Sequence, residues 1–76
     1  MCKYLDLRGI SCPVNFVRCK LALEKLTNSE TLKVDLDKGE PEEMVLPALK
    51  DEGYKIKVIL VKSDWIRFII TSDAIR

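Results

Sequence analysis

The sequence contains no histidine. A cysteine hydrolase activates its nucleophile with a histidine base, so that chemistry is argued against at once. Cysteine is scarce as well, with three in the chain, at positions 2, 12 and 19. No two of them are close enough for the paired ligands of a zinc site, so no metal is expected. No C-x-x-C is present, because Pro13, Val14 and Asn15 follow Cys12. A dithiol oxidoreductase is therefore disfavoured. Charge of one sign is also lacking. Lys and Arg number 13 against 12 Asp and Glu, a net charge of +1. That balance argues against direct nucleic-acid binding. No apolar run is long enough to cross a bilayer. No apolar segment follows Met1-Cys2-Lys3-Tyr4, so a signal peptide is not expected and the cytoplasm is the expected location. The three thiols then read as reduced rather than as a disulfide framework.

What is present suits a small folded unit. Of the 76 residues, 47% are hydrophobic and 33% charged, which reads as one domain over 1–76. Residues 3–8 alternate as a first strand and residues 13–26 read as a first helix. On that helix Phe16, Cys19, Ala22, Leu23 and Leu26 share a broad face expected to meet the core. Val14, Val17 and Leu21 form a second apolar stripe, which either covers a core edge or docks a partner. Residues 31–37 alternate as a second strand, with Leu32, Val34 and Leu36 inward and Lys33, Asp35 and Asp37 outward. Residues 42–52 read as a second helix with Met44, Val45, Ala48 and Leu49 buried. Pro47 should disturb it, so regular structure is expected to begin near Val45.

Residues 54–62 form the third strand, with Tyr54, Ile56, Val58 and Leu60 on one face. Residues 65–71 form the fourth, with Ile66, Phe68 and Ile70 inward, and residues 72–76 read as a loose tail. The order βαβαββ predicts an α+β fold, a four-stranded mixed sheet with both helices on one face. The open face would then carry Tyr4, Lys33, Lys55, Lys57, Ile59, Val61, Trp65, Arg67 and Ile69.

The stretch Leu5-Asp6-Leu7-Arg8-Gly9-Ile10-Ser11-Cys12-Pro13 carries the chemistry. It reads as a strand, a glycine turn, a cysteine and a helix start. Pro13 fits the first helical position, where its missing N–H costs nothing. Cys12 then falls at or beside the N-cap, where free backbone N–H groups and the helix dipole stabilise an anion. A thiolate is such an anion. From the residues alone Cys12 is a persulfide carrier, a redox thiol or a small buried hydrophobe. Asp6 is expected to bond the turn's backbone, and Arg8 either adds positive charge or is solvated. Cys19 lies two helical turns on and is expected to pack in the core. Cys2 is a secondary sulfur acceptor at most.

LDLRGISCP resembles the opening of the TusA/SirA-like sulfur-carrier (sulfurtransferase) family, and the likeness extends through Leu46-Pro47-Ala48-Leu49-Lys50 and Gly53. One residue departs: Asn15 stands where that family's CPxP motif has its second proline. The resemblance implies a sheet order of 1-2-4-3. It implies that Cys12, supported by Gly9, Pro13, Asp6 and Arg8, carries sulfane sulfur as a persulfide. A cysteine desulfurase or rhodanese-like donor would load it, and a downstream acceptor would take the sulfur toward tRNA thiolation or other sulfur metabolism. The label is a carrier first and a sulfurtransferase more loosely, with no cofactor. Two competing readings are a divergent, non-catalytic adaptor or regulator of the same fold, and an RNA-binding module using Lys33, Lys55, Lys57 and Arg67.

Overall fold

The computed structural model describes residues 2–11, 13–26 and 30–71. Six elements follow in chain order: β1 (Cys2–Asp6), α1 (Val14–Glu24), β2 (Thr31–Asp37), α2 (Glu40–Asp51), β3 (Lys55–Val61) and β4 (Trp65–Thr71). They build one mixed sheet in the order β1-β2-β4-β3. β1 and β2 are parallel, as a helical crossover requires, and the β2–β4 and β4–β3 pairs are antiparallel. The expected α+β architecture and the 1-2-4-3 order are both present.

The core lies between the helices and one face of the sheet. Leu32, Val34 and Leu36 from β2 and Ile66, Phe68 and Ile70 from β4 are all buried there. Cys19 and Leu23 of α1 and Val45 and Leu49 of α2 pack onto the same cluster. Both helices therefore cover the same face. Leu7, just past β1, is fully buried with them and extends the β1–β2 ladder by donating its N–H to the Asp35 carbonyl at 2.8 Å.

Five expectations are corrected. Pro13 is the N-cap of α1 rather than its first helical residue, with φ −94° and ψ 2°. α2 begins at Glu40, not near Val45, and passes through Pro47. Pro41 starts it without loss, and Pro47 lies exposed on the side away from the sheet. With that start the helical period turns Val45 and Leu49 inward and leaves Met44 exposed.

In β3 the register shifts between Val58 and Leu60. Val58 pairs with Phe68, Leu60 with Arg67 and Val61 with Ile66, so Ile59 is an extra residue in the ladder. Beyond that bulge the faces exchange. Leu60 joins Arg67 on the open face and Val61 joins Ile66 on the helix side, the reverse of the alternating pattern. Finally, Asp35 does lie on the open face but is 0% exposed. Its neighbours on adjacent strands cover it. Arg67 donates Nε to Oδ1 at 2.7 Å and Nη2 to Oδ2 at 3.0 Å, and the Tyr4 hydroxyl donates to Oδ2 at 2.6 Å. The expected tail over 72–76 lies outside the described residues.

Candidate functional site

The site is the connection from β1 into α1. Because β1 and β2 run parallel, their C-terminal ends lie side by side, and the end of β2 can brace the turn that leaves β1. The turn closes with the Ile10 N–H donated to the Leu7 carbonyl at 3.1 Å. Gly9 sits in it at φ 79°, a left-handed conformation that glycine adopts without a Cβ penalty. The Gly9 N–H donates to Asp37 Oδ2 at 2.8 Å. Asp37 was not singled out in the sequence. Its only signal there is its place at the end of the strand parallel to β1.

Asp6 and Arg8 fasten the other side of the turn. Asp6 Oδ1 accepts the Arg8 backbone N–H at 3.1 Å and Arg8 Nε at 2.9 Å, and Oδ2 accepts Nη2 at 3.1 Å. These bonds to Arg8 hold the Asp6 carboxyl below the usual carboxylate range. The Arg8 guanidinium lies 4.7 Å from the centre of the Trp65 ring, and that of Arg67 lies 5.3 Å from it. Both cations are thus tied to carboxylates and to the same indole ring. Trp65 links the β1–α1 turn to the start of β4.

Cys12 lies outside the described residues. The residues flanking it define the helix start. The Asn15 N–H donates to the Ser11 carbonyl at 3.1 Å and the Val17 N–H to the Pro13 carbonyl at 3.0 Å. Asn15 is fully buried, in line with Cys19 and Leu23 on the inner face of α1. Its Oδ1 accepts the Phe16 N–H at 2.6 Å, while its Nδ2 has no partner among the described residues. Position 15 therefore belongs to the core stripe, which the apolar count alone did not include.

The two helix starts contrast. α2 carries Glu40, Glu42 and Glu43 in its first turn. α1 carries no acidic residue in its first turn and no capping side chain on Pro13. The positive end of α2 is met by its own carboxylates; α1 has none there, and because its Asn15, Phe16 and Val17 N–H groups are already bonded, it is the helix dipole that favours an anion at this end.

Along the outer face of α1, Val14, Val17 and Leu21 are 46%, 50% and 53% exposed. The stripe does not seal a core edge. On the inner face Cys19 is buried, and desolvation pushes its thiol up to about 12, so it stays protonated at neutral pH. For Cys2, the first residue of β1, only the backbone is described. Among the described residues no group of His, Cys, Asp and Glu could hold a metal ion, and no helix is long and apolar enough to cross a membrane.

Comparison with known proteins bears on the same residues. A candidate sulfur carrier protein of Archaeoglobus fulgidus is 35% identical over 52 residues, which make up 68% of this chain and 59% of that relative. The chain thus matches about three fifths of the curated relative's length. The crystal structure of a SirA-like protein from Desulfitobacterium hafniense superposes with a TM-score of 0.76. It covers 95% of this chain and 97% of its own at 22% identity, which establishes a shared fold. The family model described as sulfurtransferase TusA matches residues 3–72, from the first strand through the last and across the whole turn just described. With strand order, crossover and the Cys-Pro helix start all inside that match, the chain belongs to the TusA family.

Proposed function

We propose that this protein carries sulfane sulfur as a persulfide on Cys12 and relays it from a cysteine desulfurase or rhodanese-like donor to an acceptor protein. The observation that carries this reading is the start of α1. Two residues after Cys12 a helix begins with no acidic residue in its first turn, on a turn braced by Asp6 and Asp37. Such an end stabilises a thiolate and, equally, a persulfide anion. In loading, the Cys12 thiolate attacks the outer sulfur of a donor persulfide. A new S–S bond forms, the donor's S–S bond breaks, and the donor leaves as a thiolate. The sulfane sulfur and the proton it carries pass together, so no base and no external oxidant is needed. Delivery is the same exchange with Cys12 as the leaving thiolate. End uses such as tRNA thiolation belong to the acceptor.

Exposed Val14, Val17 and Leu21 lie on the same helix, from its first residue to about two turns on, and we assign them to partner docking. The soluble, cytoplasmic setting fits the free thiols such exchange requires.

Intact-mass analysis after incubation with a cysteine desulfurase and cysteine tests the assignment. Wild type is expected to gain one reducible sulfur, and Cys12→Ser none. Buried Cys19 is the internal control and should stay unlabelled. Sulfur on Cys2 would keep the function and move the site. No sulfur on any cysteine, or a fully active Cys12→Ser protein in cells, would replace the carrier by the adaptor reading.

A further inference from the structure

Away from the sulfur site, a cleft of about 310 Å³ opens between α1 and the free edge of the sheet at β1. Leu5, Leu21, Ala22 and Leu32 give it an apolar lining, together with Tyr4. The other three lining residues are Lys3, Arg18 and Lys25, and no carboxylate lines it. Lys3 is engaged with a partner of its own, which leaves Arg18 and Lys25 as the cations that face the cleft without an acid in its lining.

The helix shows how this arises. Arg18 and Lys25 are seven residues apart, which places them on one side of α1 at about 10 Å along its axis. Leu21 and Ala22 fill the turn between them. An acid three or four residues away would pair with an exposed helical cation. Positions 14, 15, 21 and 22 around Arg18 are Val, Asn, Leu and Ala, and positions 21 and 22 before Lys25 offer none either. Among the described residues neither cation has an ion-pair partner. What sets these two apart from other surface cations is that they flank an apolar cleft. Free guanidinium and ammonium groups over an apolar floor match a ligand with one anionic end and an apolar body. The volume suits a ligand of drug-like size or a little smaller.

We propose that this cleft binds a free monocarboxylate with a hydrocarbon body of medium length. Its carboxylate lies between Arg18 and Lys25, and its chain lies along Leu21, Ala22 and Leu5. The cleft shares Leu21 with the docking stripe, but no described residue of the β1–α1 turn lines it, and octanoate binding is read without any sulfur loading.

Amide chemical-shift titration of the full-length chain with octanoate tests it. Expected are saturable shifts centred on residues 3–5 and 18–25, with a dissociation constant on the order of 1 mM. Acetate lacks the body and 1-octanol lacks the charge, and each should bind at least about tenfold more weakly. Arg18→Ala with Lys25→Ala should weaken octanoate by a similar factor and leave the remaining spectrum dispersed, since both side chains are exposed. Shifts elsewhere, none at all, or equal binding of acetate or octanol would overturn the proposal. So would unchanged octanoate binding by the double variant. Binding of the wild type to anionic phospholipid vesicles without octanoate shifts would assign the cations to a membrane surface instead.

Discussion

Asp35 holds a carboxylate with no solvent contact on the solvent side of the sheet. Its partners Arg67 and Tyr4 sit on the two strands beside β2, so the sequence shows only an acid at an outward position of an alternating strand. The cover comes from register, which no local pattern records. Arg67 first, and Tyr4 after it, hold the Asp35 carboxyl below the usual carboxylate range. An acid depressed on folding contributes stability that is complete above its unfolded value, about pH 4, and lost as pH falls through the lower folded value. Urea unfolding between pH 7 and pH 2 should show this acid loss in wild type and a shallower one in Asp35→Asn. Arg67→Leu, which strands the carboxylate, is expected to cost about 3 kcal/mol at pH 7. A loss near zero there would mean that Tyr4 alone suffices.

At the scale of elements, α1 divides cleanly. Its inner stripe of Asn15, Cys19 and Leu23 faces the core and its outer stripe of Val14, Val17 and Leu21 faces water. Period alone showed both stripes, and only packing showed that the outer one has nothing to cover it. Val17→Glu should leave thermal unfolding within a few degrees of wild type, because the side chain is half exposed. The same change should slow loading of Cys12 by a desulfurase about tenfold or more, measured by mass against time. Normal loading would remove the stripe from the docking surface. The bounds of β2 and β4 were legible to the residue: β2 alternates apolar and polar positions, and β4 is a short run of β-branched and aromatic residues between a turn and Thr71. In α2, Pro47 removes one helical N–H donor, and its exposed position lets water reach the carbonyl left without that bond.

For the whole molecule, the order βαβαββ leads from pattern to a two-layer sandwich, and the parallel first pair follows from the crossover. The insertion of β4 between β2 and β3 does not follow from pattern, since nothing local says which strand lies beside which. The resemblance provided it. The bulge at Ile59 was also hidden, because an unbroken apolar run from Val58 to Val61 reads the same in either register. β3 is an outer strand, and Val58, Ile59 and Val61 are all exposed on it. Deleting Ile59 would leave Val58, Leu60 and Val61 opposite the partners they already have, in an unbroken ladder. That variant is expected to scatter light and bind an amyloid dye at concentrations where wild type stays clear. If it stays clear, the bulge is not what protects the edge. One surplus residue would thus act as a spoiler against fibre growth, denying a second chain a straight template at the open edge of the sheet.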